Sequence, residues 1–159
     1  MTKPKALLLA TLLIAGNAAA HDDAHHAMAG HASASVPAFG RAADPAQAKR
    51  TIAIDMSDRL RFTPAEVAVR KGEVVSFVVS NSGKLAHEFV LGTLAELKEH
   101  AQMMQQDPGM EHDAPHMAQV APGKARSVAW QFMQSGEFYY GCLVPGHFEA
   151  GMLGKIVVR

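Results

Sequence analysis

The chain has 159 residues, with 15 basic and 15 acidic side chains, so its formal net charge is zero when histidine is neutral. With no basic stripe it offers nucleic acid no electrostatic footprint, which excludes that class of partner. The length suits one domain with one modest core, and the single cysteine excludes an internal disulfide.

Residues 1–20 read as a removable signal peptide. Lys3 and Lys5 form a positive start, and Ala6 to Ala15 is an apolar run too short to span a bilayer. Ala18-Ala19-Ala20 then offers a small-residue cleavage site. Cleavage after Ala20 leaves 13 basic against 15 acidic residues. No later stretch is long or apolar enough for a span, so the mature chain is expected to be exported and soluble. Residues 21–48 are rich in Ala, His, Asp and Ser and lack hydrophobic periodicity, which predicts a disordered arm. His21, His25, His26, Met28 and His31 make that arm a short metal-attracting tract.

Order is expected from about residue 49, giving one domain over 49–159. Thr51 to Met56 reads as a strand, Ser57-Asp58 as a turn, and Leu60-Arg61-Phe62 as a short extended piece before Pro64. Glu66 to Arg70 alternates weakly, and Lys71-Gly72 turns the chain into Glu73 to Ser80. That strand should place Val75, Phe77 and Val79 on one inner face. Asn81 to Lys84 is a turn, and Leu85 to Leu91 a strand carrying His87.

The period then changes. Thr93 and Glu96 match a capping box, and Leu94, Leu97, Ala101 and Met104 recur at helical spacing, predicting a helix over 93–106. Asp107-Pro108-Gly109 ends it, and residues 110–120 are expected to be a loop holding Met110, His112, His116 and Met117. Strands resume at Arg126 to Phe132, with Val128, Trp130 and Phe132 sharing a face. They continue through Gly136 to Cys142 and Gly151 to Val158. Seven or eight short strands with one helical excursion after the His87 strand predict an all-β, Greek-key β-sandwich.

The chemistry concentrates near the C-terminus. Cys142 is followed after four residues by His147, and after four more by Met152. A thiolate, an imidazole and a thioether on one loop suit a copper ion that must exist as both Cu(I) and Cu(II), and a second histidine completes a His₂Cys set with a long axial Met. His87 supplies it from a distant strand. Any one of these residues taken alone would be explained by packing or solvation; the spacing of all four together would not. Pro145 lacks an N–H that could bond the sulfur, and Gly146 lets the backbone turn so that His147 faces inward.

From Thr51 onward the chain resembles the cupredoxins, the family of plastocyanin, azurin, pseudoazurin and rusticyanin. The resemblance rests on Phe62-x-Pro64, on the turn from Val67 to Glu73, on His87, and on Cys142-x₄-His147-x₄-Met152. It implies His87, Cys142 and His147 in a trigonal plane with Met152 axial. With its His-rich arm and its Met110 to Asp113 segment, the chain looks most like bacterial periplasmic cupredoxins linked to copper tolerance. The resemblance therefore implies a monomeric periplasmic protein that binds copper ions and protects against their excess, with Cu(I) oxidation at the centre as the one reaction on offer. No catalytic residue is assigned. Met110, His112, His116, Met117 and the arm ligands would form secondary copper sites. The alternative is a soluble one-electron carrier between periplasmic redox partners, with Phe148 and Leu143 as an apolar collar round His147.

Overall fold

The computed structural model describes residues 37–109 and 113–159. The signal peptide, the arm ligands His21, His25, His26, Met28 and His31, and Met110 and His112 lie outside the described residues.

Ten strands and one helix follow in order: β1 (Gly40–Ala42), β2 (Arg50–Ser57), β3 (Arg61–Thr63), β4 (Glu66–Val69), β5 (Val74–Asn81), β6 (His87–Gly92), α1 (Leu94–Gln106), β7 (Met117–Val120), β8 (Ala125–Phe132), β9 (Gly136–Gly141) and β10 (Leu153–Val158). They form two five-stranded sheets, β1-β8-β5-β2-β3 and β4-β10-β9-β6-β7. Most pairings are antiparallel; β2 with β5 and β4 with β10 are parallel. Parallel neighbours need crossover connections, so the chain passes repeatedly between sheets, and the result is a β-sandwich.

Alternation along the strands makes the core. Val75, Phe77 and Val79 of β5 are fully buried, as are Trp130 and Phe132 of β8. Aromatic rings fill the space between sheets: Phe77 lies 5.4 Å from Phe89, Phe89 5.3 Å from Tyr140, and Phe62 5.1 Å from Tyr140 in an edge-to-face pair. The Tyr140 hydroxyl donates to the Pro64 carbonyl at 2.6 Å.

Helix α1 forms as the sequence predicts. The Glu96 amide donates to Thr93 Oγ1 and the Thr93 amide donates to Glu96 Oε2, completing the capping box. Leu97, Ala101 and Met104 pack on Val90, Met117 and Leu143, a second small core on the outer face of β6. Leu94 is only half-buried.

Two expectations are corrected. Residues 37–48, assigned to a disordered arm, include β1, which pairs with β8 through Gly40 and Phe132. They also include Phe39, 2% exposed and 5.0 Å from Phe138. One aromatic anchor and three paired residues suffice to hold this segment, and neither produces a periodic signal. Residues 117–120, assigned to a loop, are β7, which pairs with β6. Met117 sits opposite Val90 and is 7% exposed.

Candidate metal centre

The register of β6 and β9 places the ligands. Val90 pairs with Gly141 in antiparallel fashion, so the end of β9, leading into Cys142, lies beside the start of β6 at His87. The loop after β9 then folds back on itself. The His147 amide donates to the Val144 carbonyl, the Met152 amide to the His147 carbonyl, and the Cys142 amide to the Met152 carbonyl at 3.1 Å. Gly146 takes a positive φ of 86° in this turn, a conformation a side chain would strain.

The donor atoms converge. His87 Nδ1 and His147 Nδ1 are 3.2 Å apart, Cys142 Sγ lies 3.3 Å from His147 Nδ1 and 3.9 Å from His87 Nδ1. A metal bound at about 2.0–2.3 Å by three donors in a plane holds them roughly 3.5–4 Å apart. The observed triangle approaches that demand, with one edge inside the range and two a few tenths of an ångström short of it. Met152 is fully buried in the same core as Cys142, and the soft sulfur, two imidazoles and thioether suit copper among the first-row metals. Among the described residues this is the group of His, Cys and acidic side chains close enough to hold an ion.

Burial sets the electrostatics. It pushes the Cys142 thiol from 9.0 up to about 11, against amide donors from Glu88 (3.3 Å) and Val144, while the charge of Glu88 adds to the rise. Without metal the thiol is therefore neutral at pH 7, and a bound metal must displace its proton. Burial, then the neighbouring His87, lowers His147 below the usual imidazole value. A neutral imidazole is the form that ligates.

Four surrounding residues carried no spacing signal in the sequence. Asp58 Oδ1 stands 3.6 Å from His87 Nε2 and accepts amide bonds from Lys84 and Leu85. Gly83 is needed there, since a Cβ would meet the Asp58 carboxylate at 2.1 Å. Asn81 ties the loop before His87 to the sheet, donating to the carbonyls of Leu85 and Val120. Glu88 supplies the amide bonded to the cysteine sulfur.

The other sequence candidates are scattered. Met117 belongs to the core beneath α1. His116 is half-buried on another side, its ring 6.0 Å from that of Trp130, and burial lowers its pKa. Leu143, expected in an exposed collar, is 1% exposed and faces α1; Phe148 is half-buried.

A sandwich that brings a histidine from one strand to a cysteine and a histidine on one loop defines a copper-binding cupredoxin. Residues 48–159 match the family model of copper binding proteins, plastocyanin/azurin family, and the chain belongs to that family. It is 48% identical over 157 residues to a protein of Rubrivivax gelatinosus described as copper-resistant cuproprotein CopI, covering 97% of this chain and 95% of that one. A protein of the same description from Pseudomonas aeruginosa is 33% identical, covering 98% of each. In fold it is similar to auracyanin B, with a TM-score of 0.63 and 21% identity over 78% of this chain and 96% of that one. The dithionite-reduced auracyanin of Roseiflexus castenholzii gives a TM-score of 0.61 and 19% identity over 70% and 98%.

Proposed function

We propose that the protein is a periplasmic copper-handling cupredoxin that serves copper tolerance. The observation that carries this reading is the His87–Cys142–His147 triangle, whose three donor atoms lie within 4.8 Å of one another. Relatives described as copper-resistant cuproproteins over nearly the whole chain support the tolerance role. The leader pattern of residues 1–20 supports export to the periplasm, and no helix among the described residues is long and apolar enough to cross a membrane.

His87, Cys142 and His147 would hold the ion, with the Met152 thioether as a fourth donor, and copper would supply a one-electron couple. The chain fixes all four on strands or on a loop closed by backbone bonds, so either oxidation state meets the same geometry. Half-exposed His147 would be the ligand through which an electron could pass between a bound copper and a docked one-electron acceptor protein. Met110, His112, His116 and the arm residues His21, His25, His26, Met28 and His31 hold further copper outside the centre, where thioether and imidazole suit Cu(I).

The test is copper per chain, by metal analysis after exhaustive dialysis under oxidising and reducing conditions. More than one copper is expected, with part retained by Cys142→Ala and part lost when Met110, His112 and His116 are replaced together. Cells carrying that triple variant should tolerate less copper while the centre keeps its colour. A stoichiometry of one would leave the second reading, a simple electron carrier. Leu85, 50% exposed on the loop leading to His87, favours that reading as a docking contact.

A further inference from the structure

Three of the four ligands are closed to solvent: Cys142 and Met152 at 0% and His87 at 1%. An ion reaching them must shed its water or carrier ligands, and a cation crossing an apolar wall unaided meets a steep desolvation cost. One cavity, about 520 Å³, abuts the centre and is lined by His87, Glu88, Met104, Gln119, Val144 and Pro145.

Glu88 is the wall residue that packing does not explain. It is 3% exposed, on the face of β6 that also carries Val90 beneath α1. Gln119, directly opposite on β7, donates to Oε1 at 3.0 Å. Oε2 is buried with no hydrogen-bond partner among the described residues. A carboxylate left half-satisfied in a closed site destabilises the fold, and an apolar residue of similar size would not. The same residue bonds the cysteine sulfur through its amide, and its neighbour His87 lines the same cavity.

We infer that this cavity is a second cation site, in which the Glu88 carboxylate and the Met104 thioether hold a copper ion in transit to and from the Cys142 centre. The inference rests on the copper reading above and adds a route to it. A hard oxygen and a soft sulfur lining one cavity accept copper in either oxidation state. Arg126 also lines the cavity, and its positive charge opposes an incoming cation.

The experiment is stopped-flow mixing of the full metal-free mature chain with copper(II) chloride, following the absorption that develops at the thiolate, and release of copper from the loaded chain to EDTA. Glu88→Gln keeps the bond to Gln119 and removes the charge. It should slow uptake about tenfold, the scale on which a focused charge alters association rates. A site on the route slows release by the same factor, so the affinity given by the ratio of rates persists. Arg126→Ala should speed uptake. Uptake at the wild-type rate in Glu88→Gln overturns the inference. So does faster release with a displaced absorption band, which would make Glu88 a structural support of the centre, and so does slower uptake in Arg126→Ala, which would make the two residues an ion pair. In each of these the wild type still colours with copper. A wild type that never colours overturns the copper centre itself.

Discussion

Asp58 Oδ1 lies 3.6 Å from Nε2 of His87, the ring nitrogen that faces away from Cys142 and His147. That separation exceeds a hydrogen bond, so the carboxylate acts on the ring through its field. The amides of Leu85 and Lys84 hold Asp58 below the usual carboxylate range, and it is charged at neutral pH. With Nδ1 turned to Cys142 and His147, Nε2 faces the anion, whose negative charge favours a cation held by the ring. Asp58→Asn should therefore weaken Cu(II) binding about 10–100-fold, the usual range for such outer partners. Cu(I), with less charge to stabilise, loses less, so the reduction potential rises. Potentiometry on the variant checks both sign and size.

Cys142→Ser should abolish the visible charge-transfer absorption while leaving a folded metal-free chain, because the buried thiol contributes little beyond packing when protonated. Met152→Leu should keep the colour and shift the potential, since an axial thioether tunes the ion more than it holds it. Absorption spectra and voltammetry of the two variants separate these outcomes.

The metal-free protein should lose stability in alkali. Cys142 rises from 9.0 to about 11 on folding, so between those values the folded state binds the proton more tightly than the unfolded chain. Stability is full below pH 9 and falls as pH climbs through 11, by up to roughly 3 kcal/mol for a two-unit shift. Tyr140, also raised by burial, adds a loss of the same sign at higher pH. Denaturant titrations at pH 8 and pH 11 should show a shallower decline for Cys142→Ala than for wild type. Copper removes this component, because the thiolate is already formed when it binds.

Phe39→Ala should destabilise the domain by roughly 3–5 kcal/mol, the cost of emptying a fully buried aromatic site. The ring touches Trp130, Phe132 and Phe138, so its loss opens a cavity at the end of the sandwich near β1. Urea unfolding of the variant measures this directly, and a chain beginning at Lys49 should show at least as large a loss.

The strands with clean alternation, such as Val75-Phe77-Val79 and Val128-Trp130-Phe132, were readable because one face of each is apolar and buried. The helix was readable from its cap and its stripe. The grouping of His87, Cys142 and His147 was readable because metal chemistry restricts residue type and a tight loop restricts spacing. What escaped was of another kind. β1 is held by one phenylalanine, and β7 reads as polar loop because its partner strand, not its own pattern, defines it. Asp58 acts on the centre through a contact made across the sheets and Glu88 through one between neighbouring strands, 29 and one residues from His87 in sequence, and no linear spacing marks either. Met117 looked like a soft ligand beside His116, yet it opens β7 and packs beneath α1, while His116 lies in the turn before it with its ring near Trp130.

The ligand loop begins and ends on one backbone bond, from the Cys142 amide to the Met152 carbonyl, and the strands on either side are already paired through Gly141 and Leu153. The sheets thus close beneath it whatever it contains. In mechanical terms the loop is a cassette seated in a rigid socket: its exposed positions, such as Glu149 and Ala150, can be exchanged without disturbing a strand, whereas Leu143 and Phe148 belong to the core beneath α1. Three of the four ligands travel with the cassette, and His87 stays in the socket. Redox character and fold stability are consequently separable, and one can be retuned while the other is kept.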